Sequence, residues 1–139
     1  MTEGASRLRF GAHTKALELF DLVVTDLAGL TGRSPLERLI AQQFASADSI
    51  AANIEEGFGR GSSADYARFL LIARGSAQET AGRYLRLRHW LTDDIVNDRV
   101  KRCDEIIAML YSSLTTPRLP AMPAFSSILR SHLADRMKR

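Results

Sequence analysis

Cysteine is nearly missing from this chain. Cys103 stands alone, which excludes an internal disulfide and any site built from several thiolates. Such usage suits a reducing compartment, and a cytoplasmic setting is expected. Histidine is almost as scarce: His13, His89 and His132 are scattered along the sequence. The Glu-x-x-His pairs that build carboxylate-bridged metal sites in helical bundles do not occur, so no metal and no cofactor is expected. No apolar run approaches the roughly 20 residues that a membrane span needs. The start, MTEGASRLRFGAH, lacks the hydrophobic stretch of a secretory signal. Of four prolines, three (Pro117, Pro120, Pro123) crowd towards the end, leaving Pro35 as the one proline breaker in the rest.

What remains is ordinary globular composition, 45% hydrophobic and 25% charged over 139 residues, enough for one domain with one core. The net charge of +3 is unevenly placed. Arg118, Arg130, Arg136, Lys138 and Arg139 face only Asp135 after position 116, so the last stretch carries the excess and the body is near neutral. Such a tail either solubilises the chain or meets an anionic partner.

Four segments carry helical periodicity and none alternates as a strand does. Over 13–29, Ala16, Phe20, Val23 and Leu27 share a stripe flanked by Leu17, Val24 and Ala28. Gly29 and Gly32 end it. The run SPLE predicts Ser34 as a capping residue with Pro35 and Glu37 behind it, opening a helix to about Glu56 with Leu36, Ile40, Ala47, Ala51 and Ile54 inward. Its middle, AQQFASADSIAAN, is rich in Ala and Ser, so a neighbouring helix could approach closely. Ser62 and Asp65 cap a third helix, expected to be the longest and to reach about Leu91, with Phe69, Ala73, Ala77, Thr80, Tyr84, Leu87 and Leu91 on its stripe. Leu71 and Leu85 lie off that stripe, wider than one core requires. Thr92 and Asp93 open a fourth helix carrying Val96, Val100, Cys103, Ile107, Leu110 and Leu114. Short links between long helices predict an all-α, antiparallel up-down-up-down four-helix bundle over 1–116, followed by a Pro-containing basic tail over 117–139.

Candidate chemistry is thin. NIEEGFGRGS, Asn53 to Ser62, is too poor a phosphate loop: a helix precedes it, and no Lys-Ser or Lys-Thr follows. It reads as a joint, with Gly57 expected in the left-handed capping position and Gly59 and Gly61 turning the chain, although Arg60 could still touch a phosphate. Glu55 and Glu56 have no histidine near them in sequence. Cys103 falls on an apolar stripe, where a buried, inert thiol is expected, and Ser62, Ser63 and Ser76 have no base nearby in sequence. No small-molecule substrate is evident, and an enzyme is not expected. Arg68, Arg83 and Arg86 share a helix face, with Glu79 placed to pair with Arg83 at i, i+4. That face reads as solvated, with nucleic-acid contact as the sharper alternative.

The segment SIAANIEEGFGRGSSADYARFLLIARGSAQE, Ser49 to Glu79, resembles the four-helix-bundle family encoded in 23S ribosomal RNA intervening sequences. The shared residues are Ser49, Ile50, Asn53, Ile54, Glu56, Gly57, Phe58, Gly59 and Arg60, then Phe69, Leu70, Ile72, Ala73, Gly75, Ser76 and Glu79. A more distant likeness is to the pentameric accessory protein of diversity-generating retroelements. The resemblance covers roughly 10–114 and implies a homopentameric bundle with nucleic acid, RNA or DNA, as a suggested partner; a protein-docking module is the alternative. It also implies that Asn53 and Glu56 bond the following turn and the third helix, that Arg60 pairs a carboxylate, and that Gly75 and Ser76 let two helices pack closely. Two departures stand out. The basic pair usual after the second helix's Gln is Gln43 and Phe44 here, and the usual proline of the first motif is Ala51. Nucleic-acid contact therefore shifts to Arg60, Arg68, Arg83, Arg86 and the tail residues Arg130, Arg136, Lys138 and Arg139.

Overall fold

A computed structural model describes residues 3–60 and 62–114, with side chains from residue 11 onward. It holds four helices: α1 (Glu3–Ala28), α2 (Glu37–Phe58), α3 (Ser63–Arg86) and α4 (Asp93–Leu114). Single 3₁₀ turns at Ser34–Leu36 and Leu87–His89 lead into α2 and out of α3. There is no strand among the described residues. Each helix packs on the next, and α4 returns onto α1, whereas the α1 and α3 backbones stay apart. The helices thus occupy the corners of a square, with α1 and α3 on one diagonal and α2 and α4 on the other. This is the all-α up-down bundle that the four stripes imply. The tail and Gly61 lie outside the described residues.

The stripes fill the centre. Ala16, Leu19, Val23 and Leu27 of α1 meet Ile40, Ala47, Ile50 and Ile54 of α2, and Leu70, Ala73, Ala77, Tyr84, Val100, Cys103, Ile106 and Leu110 close the core. Burying each of the larger aliphatic side chains contributes about 1.5–3 kcal/mol. Phe20 and Phe44 add an edge-on ring contact at 6.2 Å between α1 and α2.

Several element ends differ from the sequence expectation. α1 begins well before His13; nothing in GASRLRFGA but glycine opposes a helix, and Gly11 lies so close to Met109 of α4 that a Cβ there would meet its methyl. α1, with 26 residues, is therefore the longest helix rather than α3 with 24. Ser34 does not cap α2: Pro35 fixes a 3₁₀ turn, and α2 starts only at Glu37 with no side-chain cap. The caps of the other two helices form as expected. Ser62 Oγ accepts the Asp65 amide at 3.2 Å and Thr92 Oγ1 the Ile95 amide at 3.4 Å. α3 stops at Arg86, short of Leu91, as the chain tightens through Leu87–His89 and the Trp90 and Leu91 amides both turn back to the Leu87 carbonyl.

A second buried group ties three helices together. Asp26 of α1 accepts two hydrogen bonds from Arg99 of α4, at 2.8 and 2.9 Å, and one from the Tyr84 hydroxyl of α3 at 2.8 Å. Burial, with the Asp26 hydrogen bond and charge adding to it, raises the Tyr84 phenol far above its ordinary value. Cys103 is fully buried beside it, and desolvation pushes its thiol well up, so it stays protonated and unreactive.

Candidate functional site

The site residues singled out in the sequence fall into two places: the joint between α2 and α3, and the seam along which these helices pack. The seam is polar. Gln43 Nε2 donates to the Thr80 carbonyl at 2.9 Å, Thr80 Oγ1 to Ser46 Oγ at 2.9 Å, and Ser49 and Ser76 share a hydroxyl hydrogen bond at 2.8 Å. Arg83 crosses from α3 to α2, where its Nη1 donates to Ser46 Oγ at 2.8 Å, Gln43 Oε1 at 2.9 Å and the Gln42 carbonyl at 3.2 Å. These rungs climb α2 as they descend α3, as antiparallel helices require. Small side chains at Ser46, Ala47, Ala73 and Ser76 bring the helices close enough for the bonds to form, which is the physical use of the Ala/Ser-rich stretch.

Arg83 is the main correction to the sequence reading. It is not on a solvated face with Arg68 and Arg86; it is 8% exposed, while Arg86 is exposed. Its hydrogen bonds run to α2 and none goes to Glu79. Desolvation lowers the guanidinium's proton affinity, the charge of Arg86 lowers it further, and Glu79 opposes both. Glu79 itself is exposed on the rim of an open groove of about 350 Å³ above the seam, with Gln42, Ser46, Ser49, Ser76 and Arg83 around it.

At the joint, Asn53 does not bond the following turn. Its amide reaches back along α2 to the Ser49 carbonyl at 2.8 Å and Ser49 Oγ at 2.9 Å, and so steadies the top rung of the seam. Glu56 takes the Arg60 guanidinium at 2.6 Å. Both side chains are about half exposed, so the pair itself contributes little. Gly57 is buried within α2 and not left-handed; Gly32, at φ 85°, is the one positive-φ glycine among the described residues. A Cβ at Gly57 would lie 3.3 Å from Phe69 Cβ, so its role is close approach of α3. Gly59 caps α2 at φ −78°. Gly75 was expected to admit a neighbouring helix, yet a Cβ there would meet nothing within 4 Å; close packing falls to Ser76 and Gly57 instead. Arg60 and Arg68 both lie over the Phe69 ring, at 5.0 and 4.8 Å from its centroid. Arg68 is otherwise exposed, with Asp65 at 3.9 Å. Arg130, Arg136, Lys138 and Arg139 lie outside the described residues.

Gln43, Ser46 and Thr80 escaped the sequence reading as a functional group, and so did the Asp26–Tyr84–Arg99 cluster. Among the described residues no group of three or more His, Cys, Asp and Glu is placed to hold a metal ion, and no helix is long and apolar enough to cross a membrane.

The Ser49–Glu79 motif thus occupies the joint, the seam and the rim of the groove, within a four-helix bundle. Over residues 12–112 the sequence matches the family described as 23S rRNA-intervening sequence protein. The chain belongs to that family. A similar fold is seen in the 1.70 Å crystal structure of a protein of unknown function from the S23 ribosomal protein family of Bacteroides thetaiotaomicron. That protein is 27% identical, with a TM-score of 0.70, and the similarity covers 76% of this chain and 99% of that one. The comparison with curated proteins finds no match. This intervening-sequence protein therefore shares the bundle of its structural relative.

Proposed function

We propose that this chain is a non-catalytic, self-assembling helical module that holds nucleic acid at its α2–α3 joint. The observation that carries this reading is the pair of guanidinium groups stacked over Phe69, with Phe58 40% exposed at the end of α2. Basic and aromatic side chains interleaved in this way form the platform on which unpaired bases stack while phosphates find cations. Glu56 and Asp65 hold these arginines only through exposed ion pairs, which exchange readily for phosphate. The basic tail would add phosphate contacts. A cytoplasmic setting suits the single buried thiol.

Self-assembly is supported by two apolar patches on the diagonal: Leu17 and Val24 on α1, 47% and 43% exposed, and Leu71 and Ile72 on α3, 46% and 42% exposed. Patches on opposite corners favour a head-to-tail contact, which builds a ring when the rotation closes and does not build a two-fold dimer; a pentamer is the family-based expectation. The same patches favour the second reading, a protein-docking module without nucleic acid.

Fluorescence anisotropy with single-stranded RNA, structured RNA and duplex DNA at low and near-physiological salt tests the first reading. Saturable binding that falls steeply with salt, and that Arg60→Ala with Arg68→Ala weakens at least tenfold, is the expected result. Binding lost only when the chain is cut after Thr116 would move the contact to the tail. No binding in any form would overturn the nucleic-acid reading in favour of a protein partner.

A further inference from the structure

Among the described residues, Arg83 and Arg99 are largely buried, and they are treated differently. Arg99 donates to the carboxylates of both Asp26 and Asp98. Arg83 donates only to neutral oxygens, every one of them through Nη1, and its buried Nε has no partner. A cation taken out of water is costly unless an anion accompanies it. Arg83 lines the groove of about 350 Å³ between α2 and α3, together with Ser49, Ser76 and Gln42. Ser49 and Ser76 hold one hydrogen bond between two hydroxyls, so one hydroxyl proton is always left to donate elsewhere.

We infer that this groove binds a small molecule through an oxyanion group, a carboxylate or a phosphate, taken by the Arg83 guanidinium and the Ser49–Ser76 hydroxyl pair. The groove has room for a molecule of a few heavy atoms beyond that group. Glu79 on the rim selects against a polyanion: a nucleic-acid strand laid across it would bring further phosphates past a carboxylate. Glu79 also competes with the incoming anion for the field of Arg83, so its charge sets the affinity. The site is independent of the arginine–phenylalanine joint, and neither requires the other.

The test is a titration of the full-length ¹⁵N-labelled chain with inorganic phosphate and, separately, with succinate, against sodium chloride at matched ionic strength. The arginine Nε–H signals and backbone amides are followed together. The expected result is a saturating shift of the Arg83 Nε–H and the Ser49 and Ser76 amides with one of the two anions and not with chloride. Arg83→Lys, which keeps the charge and removes the fork, weakens binding roughly tenfold. Glu79→Gln, on an exposed position that leaves the seam intact, tightens it several-fold. The inference is overturned if Arg83 shifts no more than the exposed Arg68 and Arg86, or if Glu79→Gln leaves the affinity unchanged. It is equally overturned if a short oligonucleotide moves the Arg83 signal while neither small anion does.

Discussion

At the scale of single residues, the two glycines of the family motif that lie in helices have opposite standing. Gly57 sits against Phe69, where a methyl group would be tightly held, and Gly75 faces open space. Gly75→Ala should therefore stabilise the fold by about 0.5–1 kcal/mol through helix propensity alone. Gly57→Ala gains the same propensity but crowds Phe69 Cβ at 3.3 Å, and this tightness offsets the gain, so its stabilisation should be smaller than that of Gly75→Ala. Urea midpoints of the two variants check the contrast, and equal shifts would contradict it. Neither standing was legible in the sequence, where both glycines look like joints or contact points. A glycine's neighbours across the bundle depend on the rotation of each helix, which periodicity sets only to within a residue. Arg83 was misread for a related reason. A charged residue with Glu79 four positions before it reads as surface, and only the small residues of α2 across the seam leave it a way inside. The clue was present in AQQFASADSIAAN, but as a statement about room and not about what would fill it.

The tie between α1, α3 and α4 belongs to the scale of elements. Asp26, whose side chain is 3% exposed, depends on Arg99 for its charge balance. Arg99→Ala leaves that carboxylate buried with the Tyr84 hydroxyl alone and should cost about 3–5 kcal/mol. Tyr84→Phe removes one hydrogen bond of three and should cost about 1 kcal/mol. Thermal or urea unfolding at neutral pH separates the two. On the outer side of the same tie, Asp98 is held below the usual carboxyl value of 3.8. Burial alone would raise it, but hydrogen bonds from Arg102 and Arg99, reinforced by their charges, outweigh that effect. The folded state therefore releases this proton more readily than the unfolded chain. The stabilisation is complete above the ordinary carboxyl range and is lost as the pH falls below 3.8 towards the folded value. Asp98→Asn should flatten the acid limb of the stability curve and leave its neutral region nearly parallel to that of the parent. Unfolding midpoints between about pH 6 and pH 2.5 provide the comparison. The helices themselves were readable from spacing, as were the caps at Ser62 and Thr92; the tie was not, because its members stand on three helices far apart in the chain.

For the whole molecule, the decisive feature is the placement of exposed Leu17 and Val24 diagonally opposite Leu71 and Ile72. In a head-to-tail ring every contact uses one patch from each copy, so spoiling either patch spoils all contacts. Leu17→Asp and Leu71→Asp should each reduce the mass in light scattering to that of a monomer while helical circular dichroism persists. Mixing the two variants should not restore a closed ring, since each mixed pair offers only one intact contact. A two-fold dimer through one patch would survive one of the two substitutions, and that outcome would refute the ring. The bundle was legible in the sequence at this scale, and so was the outward place of Leu71; Leu85, which also lies off the stripe, packs against the core instead, and Leu17 and Val24 read only as flanks of the α1 stripe.

The ladder of the α2–α3 seam has a consequence for heredity. Its rungs pair Gln43 with Arg83 and Thr80, Ser46 with Thr80 and Arg83, and Ser49 with Ser76, so a change at Gln43, Ser46, Thr80 or Arg83 alone strands a buried polar partner. Across descendants of a common ancestor these positions should drift as linked sets, turning apolar together or staying polar together, while their exposed neighbours on the same helices vary one at a time.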